Sequence, residues 1–158
     1  MKTAVVFYTL NGNCAFAAQE IKSQLNADLL RLHTKDEKKR GSAGSMIWGC
    51  SMVFFHKKPP LKPYDFDASA YDLIILGAPV WAGSPAPPVR TFISEAGIKG
   101  KKIALFVCHA GGKGKSLEKL RALLDGNEIV SEIDFRNAVK NSGDMDKQVA
   151  EWIKGFKG

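Results

Sequence analysis

Long hydrophobic runs are missing from this chain: no eighteen consecutive residues are apolar, so no segment reads as a membrane span. Cysteine is scarce. Cys14, Cys50 and Cys108 are odd in number, far apart and without Cys-x-x-Cys spacing. That argues against a disulfide framework and for a reducing, cytoplasmic compartment. His33, His56 and His109 are equally scattered, so no metal-ligand spacing appears and no metal is expected. A cysteine phosphatase needs an arginine six residues after its nucleophile, and those positions hold Glu20, His56 and Gly114. Gly114-Lys115-Ser116 copies the end of a nucleotide-binding P-loop, but His109 stands where that loop needs its leading glycine. No apolar strand ends in an aspartate suited to Mg²⁺.

What remains is a chain of 158 residues, long enough for one domain, with an ordinary 45% of hydrophobic residues. Lys2, the apolar run Thr3–Leu10 and the small residues Ala15–Ala18 imitate an export signal. Asn11-Gly12-Asn13 interrupts the run, which therefore reads as a buried first strand. Twenty-three basic residues against 16 acidic ones leave a net charge of +7, clustered at Lys35–Arg40, Lys57-Lys58, Lys99–Lys102 and Lys113–Lys119. Such a surface attracts acidic partners and phosphate-bearing ligands, or simply keeps the chain in solution.

Thr3–Tyr8, Asp72–Leu76 and Ile103–Cys108 are apolar without alternation, as strands buried on both faces of a parallel sheet must be. Leu30 and Leu32 flank Arg31, while Ile129, Ile133 and Phe135 share one face between polar neighbours; alternation of this kind suits edge strands. Between the strands, Cys14, Ala17, Ala18, Ile21 and Leu25 form a helical stripe. Pro87-Pro88 opens a second helix that Gly97 stops, and Ser116 is expected to cap a third ending at Asp125-Gly126. A last helix begins near Ser142 and buries Met145, Val149, Trp152, Ile153 and Phe156. In Thr34–Ala70, the residues Met46, Ile47, Cys50, Val53 and Phe54 suggest a short helix weakened by Gly49, and Pro59–Asp67 an extended connection. No internal repeat is present.

Strands alternating with helices imply a single α/β domain over 1–158: a three-layer sandwich on a five-stranded parallel sheet. With the second and fifth strands at the edges the order is 2-1-3-4-5, and the ligand site lies outside the carboxyl strand ends, where the order reverses. Three loops reach that place. Thr9-Leu10-Asn11-Gly12-Asn13-Cys14 is short, polar and opens onto a helix, so its amides can surround a phosphate. Gly77–Pro88 carries Trp81 among glycine, proline and small residues, a flat π surface suited to another flat ring. His109–Lys115 is the third.

The segment Gly77–Pro88, with Tyr71–Leu76 before it and Val89–Ile93 after it, resembles the flavin-facing segment of short-chain flavodoxins. The first loop resembles that family's phosphate loop, Ser/Thr-x-Thr-Gly-x-Thr. The match runs in order over nearly the whole chain, Thr34–Ala70 excepted. The resemblance implies a flavodoxin-like fold and one FMN. Thr9, Asn11, Gly12, Asn13 and Cys14 would surround its phosphate. Pro79, Val80, Trp81 and Ala82 would lie against the isoalloxazine, with Trp81 stacking, and Gly83 and Ser84 along the same edge. Cys108, His109, Ala110, Gly111 and Gly112 would approach the pyrimidine side.

Asn11 and Cys14 stand where the family usually has threonine, the third loop lacks the aromatic that often covers the second flavin face, and the chain is basic where conventional flavodoxins are acidic. The expected activity is electron transfer or a small flavin-dependent oxidoreduction, with no catalytic side chain evident. The alternative is a non-redox binding module for an acidic partner or nucleic acid, disfavoured because no aromatics interleave the lysine clusters. Expected partners are a redox protein or a small-molecule electron acceptor. No membrane is implied, and a homodimer contact through Ser45–Lys58 stays open.

Overall fold

The structure is a computed structural model that describes residues 1–35, 48, 50–53 and 57–157. Its strands are β1 (Thr3–Phe7), β2 (Asp28–Arg31), β3 (Leu73–Trp81), β4 (Ser84–Pro85), β5 (Lys102–His109) and β6 (Glu128–Arg136). Its helices are α1 (Asn13–Leu25), α2 (Pro87–Ala96), α3 (Ser116–Leu123) and α4 (Met145–Lys154). The sheet order is β2-β1-β3-β5-β6, every ladder on this path is parallel, and β4 pairs antiparallel with the end of β3. Apart from the two-residue β4, this is the order expected from the sequence. Where β1 lies between β2 and β3, the crossovers leave in opposite directions and open a crevice at the carboxyl ends.

Two apolar layers hold the sheet. Val5, Phe7, Leu73, Ile75, Ala104 and Phe106 face α1 and α4, whose Ala17, Ile21, Val149 and Ile153 bury against them. Val6, Ile74, Leu76, Ile103 and Leu105 face α2 and α3, meeting Val89, Phe92, Leu117 and Leu120. Central strands are therefore apolar on both faces, as their unbroken runs required. Gly77 is needed for packing: a Cβ there would lie 1.9 Å from the Phe106 ring.

Four expectations are corrected. Strand β3 continues through Trp81 rather than ending at Leu76. Lys115, not Ser116, precedes the first turn of α3, and the Ser116 hydroxyl donates to the Lys113 carbonyl at 2.6 Å. The last helix is preceded by a separate 3₁₀ turn, Ser142–Asp144. In β6 the register slips between Ile103–Ile129 and Ala104–Ser131, so Val130 is an extra residue. That bulge sends Ile129 to the α2/α3 side while Ile133 and Phe135 face α1 and α4, so the three do not share a face.

Trp48 and residues 50–53 are helical; Met46, Ile47, Gly49 and Phe54 of the expected helix lie outside the described residues. Pro59–Asp67 has no regular structure beyond an isolated bridge of Leu61 to Thr34, and it is tied to α2. The buried Thr91 hydroxyl donates to the Pro59 carbonyl at 2.8 Å, and Tyr64 donates to Glu95 at 2.9 Å. Burial, reinforced by that carboxylate, pushes the Tyr64 phenol up to about 12.

Candidate functional site

The three loops meet at the carboxyl edge. After β1 the chain turns at Gly12, whose φ of 94° suits glycine and whose amide donates to the Thr9 hydroxyl at 3.1 Å. Helix α1 starts at Asn13, so its leading amides have no intrahelical acceptor and carry the positive end of the helix dipole. Asn11 is exposed, and Gly12 and Asn13 are half-buried. The Asn13 side-chain oxygen accepts from the Val139 amide at 3.0 Å, which fastens the loop after β6 to this one.

Cys14 departs from its expected role. Its side chain is fully buried in the α1/α4 layer beside Cys108. Burial first, then its hydrogen bond with Cys108, pushes the Cys14 thiol well above its ordinary value. Only the Cys14 amide remains for an anion, and its own thiol, pushed up by burial, is not an activated nucleophile.

After β3 the chain makes a two-residue hairpin, Trp81 pairing with Ser84 across Ala82 and Gly83. Both central residues have positive φ, 49° and 71°, the pattern of a type I′ turn. Pro79 is buried, Val80 and Gly83 are half-buried and Ala82 is exposed. Trp81 is half-buried and does not stand alone. Tyr8 meets it edge-on with ring centres 5.8 Å apart, and Trp48 meets it at 5.7 Å and 66°. Ser84 is buried, and its hydroxyl accepts from the Lys119 ammonium.

The third loop leans on the second. A Cβ on Gly114 would come within 2.8 Å of the Gly83 Cα, so two backbones touch where both residues lack side chains. Ala110, Gly111 and Gly112 are exposed. Cys108 is buried in the core, and His109 Nε2 lies 2.7 Å from Asp134. Lys113 adds a second contact to Asp134 at 3.2 Å. Burial works to raise the Asp134 carboxyl, but the hydrogen bonds and charges of His109 and Lys113 outweigh it and hold it below its ordinary value. Arg136 donates to the Ala110 carbonyl and the Asn137 amide to the His109 carbonyl, at 3.2 and 2.8 Å.

Sequence patterns had missed Trp48, Lys119, Asp134 and the 136–139 turn. Trp48 lies in the segment with the weakest periodicity, and the others act through contacts distant in sequence.

No family model matches the sequence, and no curated protein matches it significantly. Solved structures do match. A Lactobacillus acidophilus flavoprotein in complex with FMN superposes with a TM-score of 0.76 at 22% identity, covering 96% of this chain and 97% of that one. A flavodoxin of Megasphaera elsdenii, in its two-electron reduced form, gives 0.63 at 16% identity over 99% of both chains. The fold is that of the flavodoxins. A WrbA-like flavodoxin from Agrobacterium tumefaciens agrees, with a TM-score of 0.66 at 17% identity over 97% of this chain and 93% of its own.

On this flavodoxin fold the residues suit a phosphorylated flat ring. Nothing lies within 4 Å of where a Cβ would stand on Gly12, Gly83, Gly111 or Gly112, so each loop presents open backbone. His109 Nδ1 is buried without a hydrogen-bond partner among the described residues, a polar atom at the root of the third loop. No group of three metal-ligating side chains occurs among the described residues.

Proposed function

We propose that the chain binds one FMN across these loops and serves as an electron carrier or a small flavin-dependent oxidoreductase. One observation carries the reading: an amide-lined helix start, a half-buried tryptophan and an open glycine-rich loop share the sheet edge where strand order reverses. Bound FMN supplies one- and two-electron chemistry; the chain supplies binding, orientation and electrostatics.

The amides of Asn13 to Ala15 and the Thr9 and Asn11 side chains would hold the phosphate, with the Gly12 turn and the Asn13 side chain positioning the cradle. Trp81, braced by Tyr8 and Trp48, would give the ring a wall, with Pro79, Val80, Ala82, Gly83 and Ser84 beside it. The amides of His109, Ala110, Gly111 and Gly112 would meet the pyrimidine carbonyls. Cys108 contributes through its backbone and its packing on Cys14. The redox partner is then a protein or small molecule drawn to a basic surface. The buried, free Cys14 and Cys108 support a reducing, cytoplasmic setting.

Titration with FMN, followed by loss of flavin fluorescence, should show one site per chain. Trp81→Ala should weaken it by about 1 kcal/mol, roughly fivefold, the scale of one aromatic contact. Unquenched flavin overturns the reading. Anaerobic addition of NADH or NADPH to the loaded protein separates the roles: direct bleaching marks a reductase, and its absence a carrier.

A further inference from the structure

A cavity of about 810 Å³ lies on the α2/α3 side of the hairpin loop, between that loop and the helical residues 50–53. Its size falls within the few hundred to about 1,000 Å³ of small-molecule sites. It shares Ala82 and Ser84 with the proposed flavin edge but is lined by no residue of Thr9–Cys14 or Cys108–Gly112. It is therefore not the phosphate end of the flavin site.

The lining divides by chemistry. Met52, Val53, Pro85 and Pro87 give apolar walls, while Lys57, Arg90 and Lys119 bring three positive charges. No carboxylate is among the described lining residues. Arg90 has no acidic partner among the described residues, and Lys119 is held by the Ser84 hydroxyl, a neutral acceptor. Arg90 and Lys119, set on a concave apolar wall with no acidic partner among the described residues, favour one kind of guest, because an anionic head is attracted while its apolar body leaves water.

The geometry points to a second ligand site, for a small molecule with an apolar body and one anionic group, seated against the flavin-facing hairpin. Its place beside the flavin rests on the reading above; its ligand preference does not. Lys119 links the two, since it lines the cavity and fixes Ser84 of the hairpin. A guest whose anion draws on Lys119 would thus lie where the flavin edge is set.

The test is calorimetric titration of the chain, with and without saturating FMN, using 2-naphthoate and its neutral analogue 2-naphthylmethanol. Naphthoate should bind once per chain in the FMN-loaded form, at least tenfold tighter than the alcohol. Arg90→Gln should weaken naphthoate at least tenfold, leave the alcohol unchanged and keep FMN affinity within twofold. Arg90→Glu combined with Lys119→Glu should reverse the preference toward 2-naphthylmethylammonium, a gain that an unfolded variant cannot show. Failure of naphthoate to saturate, equal affinity in Arg90→Gln, or one-for-one displacement of naphthoate by FMN overturns the site. A chain that takes naphthoate with this charge dependence but never FMN keeps the site and removes the flavin reading instead.

Discussion

His109 closes β5 with its ring held from one side, Nε2 against Asp134 and Nδ1 buried without a partner among the described residues. Asp134 therefore couples β6 to the third loop through two contacts, His109 and Lys113. Its carboxyl is held below its ordinary value, so the folded chain releases that proton more readily than the unfolded one. The resulting stability is present above the unfolded aspartate value of about 3.9 and disappears as pH falls through the lower folded value. Urea unfolding should show wild type ahead of Asp134→Asn at pH 5, with the gap closing below pH 4. A gap that widened in acid would mean that burial governs this carboxyl. None of this was legible in sequence, because His109 and Asp134 are 25 residues apart and meet only through β5–β6 register. Cys14 carries the same lesson. Its position in the first loop suggested a phosphate contact, but one step into α1 turns its side chain to the core.

The hairpin after β3 is the element where local preference and structure disagree. Ala82 has a φ of 49°, which costs an ordinary L-residue about 1–2 kcal/mol, whereas asparagine tolerates it and Asn-Gly is the favoured type I′ pair. Ala82 is exposed, so replacing it forfeits no buried contact. Ala82→Asn should raise the stability of the flavin-free chain by about 0.5–1 kcal/mol in urea unfolding. A loss would show that the Ala82 methyl supports the loop. Strain of this sort, kept at a loop that Lys119 and Gly114 also brace, is what a positioned ligand edge would retain. The regular elements around it were readable because their causes are local. Unbroken apolar runs specify buried parallel strands, and Pro87 with Gly97 bounds α2. The bulge at Val130 was not readable, since alternation in β6 continues past it and only pairing with β5 exposes the extra residue.

Across the whole molecule the excess of positive charge would set the potential of a flavin bound as proposed. Lys113 and Lys115 in the third loop and Lys119 just beyond it are exposed, and among the described residues Lys113 alone of the three pairs with a carboxylate, Asp134. Reduction makes FMN more negative near neutral pH, so a surrounding positive potential favours the reduced cofactor over the oxidised one. Bound FMN should accordingly be reduced at a less negative potential than on an acidic flavodoxin. Screening supplies the control, because the Debye length shrinks from about 10 Å at 0.1 M salt to about 3 Å at 1 M. Redox titration across that range should move the potential to more negative values as the lysines are screened. Lys113→Gln with Lys115→Gln should reproduce part of that shift at low salt. A potential that stayed constant in salt and in the double variant would assign redox tuning to the hydrogen bonds of the loops, and leave the basic surface to partner attraction alone.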